Sequence, residues 1–271
     1  MNEFERAYYE SPEFWKGEML QDEANVSRFA ATEALIPNGV KKVVDVGCGN
    51  GVFVNRLVVS KPEVEVFAVD RSAKALEFVK CNKTQGEITS IPFPDRYFDC
   101  VTCLEVIEHL GVNDFRLALG ELARVSNKFI IVSVPFDEKI EESYTKCPSC
   151  KSIFNYQLHL QSFGERKFIG LFDQLGYRNV SFQKMNLTER YRGHFQYRKL
   201  FYPEQLTQWR SPICPLCGYF DESADEGDPT SRSEPAARRK LISYLGQLPK
   251  LFWPKEKSYY WILGLFEKVS K

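Results

Sequence analysis

Four places in this 271-residue sequence combine residue types and spacings suited to chemistry: two Cys-x-x-Cys pairs, a cluster of glycines after an aspartate, and a Glu-x-x-Glu-His run. Cys147-Pro-Ser-Cys150 and Cys214-Pro-Leu-Cys217 can each wrap two thiolates around one ion, and together they would complete a four-sulfur tetrahedral zinc site. The intervening stretch, 151–213, is longer than the usual spacer, so a redox pair or two unrelated thiol pairs are the alternatives. His159 follows the first pair and could replace a sulfur, pack in a core or face a substrate. Gly47, Gly49 and Gly51 sit within Val43-Val-Asp-Val-Gly-Cys-Gly-Asn-Gly51, where missing Cβ atoms let a ligand approach the backbone and helix N–H groups favour something polar. Asp45, just before the turn, could hold a cationic amine. Glu105, Glu108 and His109 would share one face of a helical turn. His109 could then take a proton from a hydroxyl, with the carboxylates orienting it or a divalent metal, or all three could merely brace the loop.

These residues need a scaffold, and the hydrophobic pattern supplies one. Apolar, β-branched runs at 43–46, 64–69, 98–104, 128–134 and 179–185 predict strands, with a short third strand near 87–88 and a last strand over 259–268. Helical patterns fall between them, from residue 52 and over 72–81, 113–125 and 162–175. Regular βα alternation implies a doubly wound, mostly parallel α/β sheet, Rossmann-like, with right-handed crossovers. Asp70, closing the second run, is placed to accept from ribose hydroxyls. The first cysteine pair follows the fifth strand and the second follows the sixth, so both loops should leave the same sheet edge and a single zinc could staple them over the substrate side.

Composition narrows the partners. Lys plus Arg and Asp plus Glu are both 36, and without a basic excess no nucleic-acid partner is expected. Residues 1–20 show no signal peptide and no run approaches a membrane-spanning length, so a cytoplasmic protein with reduced cysteines is expected. Cys48, Cys81, Cys100 and Cys103 read as small apolar residues. The stretch 238–257 mixes basic residues with Leu, Tyr, Phe and Trp; peripheral contact with the inner face of a membrane or a lipid-linked substrate is one reading, a packed helix the other. Residues 221–235 are polar and read as a flexible loop.

Val-Asp-Val-Gly-Cys-Gly-Asn-Gly, Ala68-Val-Asp-Arg71 and Ile91-Pro-Phe-Pro-Asp-Arg-Tyr-Phe-Asp-Cys-Val101, in that order, resemble the class I S-adenosylmethionine-dependent methyltransferases, most closely the ubiquinone/menaquinone-biosynthesis-like branch. The resemblance covers roughly residues 40–185 and the C-terminal strand. It implies a seven-stranded methyltransferase sheet and S-adenosylmethionine contacts at Asp45, Gly47, Cys48, Gly49, Gly51, Asp70, Arg71, Glu87, Ile88 and Leu104. Glu87 and Ile88 stand where the family holds the adenine amino group, with Glu in place of the commoner Asp. The resulting layout is N-terminal cap helices over 1–37, a cofactor-binding domain over 38–186 plus 258–271, and insertions at 136–160 and 187–257 forming a zinc and substrate lobe. The expected activity is O-methylation of a small-molecule or glycan, cell-envelope acceptor. N-methylation of an amine or protein side chain, and a non-catalytic scaffold that binds the cofactor and recruits a partner through the zinc lobe, are the alternatives.

Overall fold

A computed structural model describes residues 9–10, 15, 22–191, 214–219 and 255–269. The chain divides into two compact units. The described part of the first, called here the sheet unit, comprises 9–10, 15, 22–138, 160–186 and 259–269; that of the second, the cysteine unit, comprises 139–159, 187–191, 214–219 and 255–258. Most of the expected N-terminal cap helices, the 221–235 loop and the basic, aromatic stretch up to residue 254 lie outside the described residues. No helix among the described residues is long and apolar enough to cross a membrane.

Seven strands form one sheet in the order β3-β2-β1-β4-β5-β9-β8: β1 (Lys42–Val46), β2 (Glu65–Asp70), β3 (Asn82–Gln85), β4 (Phe98–Leu104), β5 (Ser126–Pro135), β8 (Tyr177–Tyr191) and β9 (Lys255–Lys268). The first five run parallel, and β9 enters antiparallel beside β5 with Ile130 opposite Phe266 and Pro135 opposite Trp261. This is the expected doubly wound α/β sheet. Its central strands are apolar on both faces because both are covered, so side chains alternate between two cores. Val44, Val46, Val101 and Val132 enter one; Val43, Ala68, Cys100 and Ile131 enter the other.

The helices whose full extent lies in the described residues are α1 (Glu23–Leu35), α2 (Val52–Ser60), α3 (Ala73–Leu76), α4 (Val112–Val125) and α5 (Glu165–Ile169). Asp22 caps α1 by accepting from the Asn25 amide at 2.7 Å. Buried Ala118, Leu119, Leu122, Ala123 and Val125 give α4 a core stripe at helical spacing.

Three expectations need correction. The third strand lies at Asn82–Gln85, not 87–88; it is polar and mostly exposed at the sheet edge, so it lacks an apolar run, and Glu87 makes only an isolated bridge to Ser90. The helix expected over 72–81 stops at Leu76. Asn55 of α2 accepts from the Lys80 amide at 2.7 Å and donates to the Phe78 carbonyl at 2.9 Å, drawing the chain into tight turns. The helix expected over 162–175 ends at Gly170 and resumes only as a 3-10 turn, Asp173–Leu175, closed by left-handed Gly176.

Two further strands, β6 (Tyr144–Lys146) and β7 (Ile153–Asn155), form an antiparallel hairpin in the cysteine unit, with Cys147 and Cys150 at its tip.

Candidate functional site

The glycine turn joins β1 to α2. Gly47, Gly49 and Gly51 have φ of 79°, 54° and 78°. A Cβ at Gly47 would strike a Val106 methyl; at Gly49 it would lie 2.8 Å from the Trp15 ring, and at Gly51 2.8 Å from Val79. Backbone close to its neighbours on every side is why the turn takes glycine here. The Gly47 and Cys48 amides donate to the Val69 carbonyl at 2.8 and 3.1 Å. Asp70 ties this turn to the next, accepting from the Gly49 amide and the Ser72 amide, both at 2.8 Å. Burial raises the Asp70 carboxyl above its ordinary range against the pull of these donors.

Residues near the N-terminus lie against the same turns. The Asn50 amide group donates to the Trp15 carbonyl at 2.8 Å, the Ser72 hydroxyl donates to the Tyr9 carbonyl at 2.8 Å, and the Arg71 guanidinium sits 4.4 Å from the Tyr9 ring. Leu104 and Cys48 are buried, Arg71 and Ile88 half-buried, and Glu87 exposed.

Asp45 is buried at the end of β1, where Thr102 Oγ1 donates to it at 2.6 Å. Burial pushes its carboxyl up to about 7, partly offset by the Thr102 hydrogen bond and the nearby Arg28 charge. Arg28, from α1, went unnoticed in the sequence, where it is one cation among 36. It is 3% exposed, with Nη1 donating to Ser133 Oγ at 3.1 Å, Nη2 donating to Asn25 Oδ1 at 2.7 Å, and the Phe29 and Trp261 rings at 4.7 and 5.0 Å. Its Nε and the Asn50 Oδ1 are buried with no hydrogen-bond partner among the described residues. A buried guanidinium N–H without an acceptor and a buried carboxylate with a raised pKa suit a zwitterionic amino-acid group, carboxylate to one and ammonium to the other. Those are the charges at one end of S-adenosylmethionine, and the Asp70 carboxylate, with one lone pair of each oxygen in use, keeps a second on each for hydroxyl donors. The residues present fit that cofactor.

Glu105, Glu108 and His109 follow β4, but not on one helical face as expected. Glu105 is left-handed, with φ 58°, and a short 3-10 turn, Ile107–His109, follows. The Glu105 carboxylate is taken by Ser133 Oγ at 3.0 Å and Trp261 Nε1 at 2.7 Å. Glu108 is fully buried, with no hydrogen-bond partner for either oxygen among the described residues; its Oε1 lies 4.0 Å from His109 Nε2. Burial, then the Glu105 charge, holds its carboxyl well above the usual range. Ser133 and Trp261 carry no local motif, and only strand pairing brings them here.

In the cysteine unit, Cys147, Cys150, Cys214 and Cys217 present sulfurs within 4.8 Å of one another; His159 is not in that group. The two knuckles repeat one backbone pattern. The Cys147 amide donates to the Ser152 carbonyl and the Lys151 amide to the Cys147 carbonyl, at 2.9 and 3.1 Å; Cys214 with Tyr219, and Gly218 with Cys214, do the same at 2.8 and 2.9 Å. Lys151 and Gly218 are both left-handed, with φ of 63° and 70°. Across the knuckles, Cys147 and Cys217 sulfurs are 3.7 Å apart, and Cys150 and Cys214 sulfurs 3.8 Å. A tetrahedron with metal–sulfur bonds of about 2.3 Å has edges of about 3.8 Å. The cluster therefore fits one tetrahedral ion. The other four cysteines stand apart: Cys48, Cys100 and Cys103 are buried, and Cys81 is half-buried.

Residues 44–128 match the family model described as the methyltransferase domain. A methyltransferase of Archaeoglobus fulgidus dependent on S-adenosylmethionine superposes with TM-score 0.51 at 15% identity, covering 94% of this chain and 99% of that one. The fold is that of the S-adenosylmethionine-dependent methyltransferases. A Haloferax volcanii protein solved with the Trm112 methyltransferase activator aligns over 98% of this chain and 96% of its own, with TM-score 0.55 and 12% identity. In sequence, this methyltransferase-fold chain is 28% identical over 107 residues to the mitochondrial ubiquinone biosynthesis O-methyltransferase of Schizosaccharomyces pombe, 35% of this chain and 38% of the relative. The chain spans less than two thirds of the length of the curated relatives it matches, 44% and 38% for two of them.

Proposed function

We propose that the sheet unit binds S-adenosylmethionine and that the chain transfers its methyl group to a hydroxyl of a small-molecule or glycan acceptor. The observation that carries the donor half is the convergence of Arg28, Asp45 and Asp70 around one glycine turn. Asp45 would hold the ammonium, Arg28 Nε the carboxylate, and Asp70 the ribose; Arg71, Ile88 and Leu104 would flank the nucleoside. When bound, the cofactor supplies an activated, electrophilic methyl group.

The protein then has to align the acceptor and manage one proton. His109 Nε2 is the proposed acceptor of that proton, with buried Glu108 beside it. A hydroxyl acceptor needs such a base, which favours oxygen over an amine that arrives neutral, and the Schizosaccharomyces pombe relative carries an O-methyltransferase name. We further propose that the four cysteines hold a structural zinc and that the cysteine unit selects the acceptor.

The donor reading is tested by calorimetry with S-adenosylmethionine and its demethylated product. Asp70→Ala is expected to weaken both by about tenfold or more, since it removes a charged hydrogen-bond partner. Unchanged affinity in a folded variant overturns the site. Transfer of labelled methyl from S-adenosylmethionine to amines but never to phenols, sugars or lipid-linked glycans would overturn the hydroxyl reading.

A further inference from the structure

Glu105 occupies a backbone conformation that glycine or asparagine would adopt at lower cost. Its φ of 58° puts a Cβ in the left-handed region, where it crowds the following carbonyl oxygen. Such a conformation persists where the surroundings over-determine it. Here the Glu105 amide donates to the Ser133 carbonyl at 3.0 Å, the Ser133 hydroxyl donates to Oε1 at 3.0 Å, and the Trp261 indole N–H donates to Oε2 at 2.7 Å. The carboxylate is thus fixed from β5 and β9 at once. Its negative charge is only loosely matched, because Arg28 Nη1 lies 3.9 Å from Oε1 and donates instead to Ser133 Oγ. The next residue, Val106, packs directly on Gly47, so Glu105 borders the glycine turn.

Asp45 and Arg28 answer the ammonium and carboxylate of the donor. S-adenosylmethionine carries a third charge, on its sulfonium, which the demethylated thioether product lacks. We propose that Glu105, held by Trp261 and Ser133, is the counter-charge to that sulfonium and makes the site prefer S-adenosylmethionine to S-adenosylhomocysteine. Trp261 and Ser133 are positioning residues that act through Glu105. The inference rests on the donor-site reading above. A fixed, half-buried carboxylate favours a cation over a neutral group of the same shape. The benefit lies in exchange, with the spent product released in favour of fresh donor, because ground-state attraction to the sulfonium does not itself lower the transfer barrier.

The experiment is calorimetry with three ligands on wild type, Glu105→Gln, Trp261→Phe and Ser133→Ala, each checked by thermal melting. The ligands are S-adenosylmethionine, S-adenosylhomocysteine and sinefungin, whose amino group is cationic at neutral pH. Glu105→Gln is expected to weaken both cationic ligands about tenfold while leaving S-adenosylhomocysteine within about twofold. Trp261→Phe and Ser133→Ala keep the charge and lose one donor each, so the same preference should fall about threefold. These two carry the test if Glu105→Gln does not fold. Equal weakening of all three ligands, or an unchanged preference in folded variants, overturns the proposal and leaves the donor site standing. Wild-type protein that binds none of the three overturns the donor site and this inference with it.

Discussion

In the sheet unit, Val43, Val44, Ala68, Val101, Ile130, Ile131 and Val132 are all fully buried, and two apolar cores run along the faces of one sheet. In the cysteine unit, the buried residues among those described are Thr145, Cys147, Asn155, His159, Cys214 and Pro215, while Ile153 and Leu216 are 54% and 50% exposed. No described Val, Ile, Leu or Phe is buried there. Segments that bury little apolar surface do not offset the entropy of ordering their chain by that means, and small domains commonly use a metal or disulfides instead. The contrast is what the proposed structural zinc would answer: two apolar cores hold the sheet unit, while the described part of the cysteine unit brings four sulfurs together instead.

Removing the proposed zinc should break the comparison most sharply. Wild-type protein is expected to carry about one zinc per chain by mass spectrometry, and Cys147→Ser with Cys214→Ser none. Loss of the metal should expose 139–159 to proteolysis while the sheet unit keeps its helical circular dichroism and its affinity for S-adenosylmethionine. Protection of 139–159 in the metal-free variant would show that something other than the cluster holds that unit.

The next effect belongs to the sheet unit. Burial raises Asp45 from an ordinary value of 3.8 to about 7. Between those values the native chain binds more protons than the unfolded one, so its ligand-free stability falls as pH rises through that window and levels above it, on the order of 4 kcal/mol from this group. Glu108, also raised by burial, adds the same sign. Urea melts should show this slope reduced in Asp45→Asn. Because an ammonium needs the ionised carboxylate, affinity for S-adenosylmethionine should rise from pH 6 to 8 in wild type and stay flat in the variant.

A pair of glycines gives the smallest and cleanest contrast. Gly47 and Gly176 both have φ of 79°, but a Cβ at Gly47 would strike Val106 whereas one at Gly176 meets nothing within 4 Å. Gly176→Ala should cost about 1 kcal/mol, the left-handed penalty alone. Gly47→Ala should cost roughly 3 kcal/mol, with overpacking added. Equal losses in urea titrations would remove close packing as the reason for glycine at the turn.

Much of the sheet was legible because its signals are local. Runs of Val and Ile, glycines between strand and helix, and an aspartate closing the second run lie within a few residues of one another, and alternation with helices sets the topology. The third strand escaped because edge residues Asn82–Gln85 face solvent and carry no apolar pattern. The helix after β2 was overestimated because Asn55, distant in sequence, competes for the backbone at Phe78 and Lys80.

What the sequence determined by itself was the parallel α/β order, the glycine turn with Asp45 and Asp70 beside it, and two thiol pairs at knuckle spacing, since each is encoded over one or two turns of chain. Only the tertiary structure decided that Arg28, Ser133 and Trp261 meet at Glu105, that Glu105 takes a left-handed backbone, and that four sulfurs from two chain segments lie within 4.8 Å. Those are contacts between residues far apart along the chain. Strand register and loop closure create them, and no periodicity in the sequence records either.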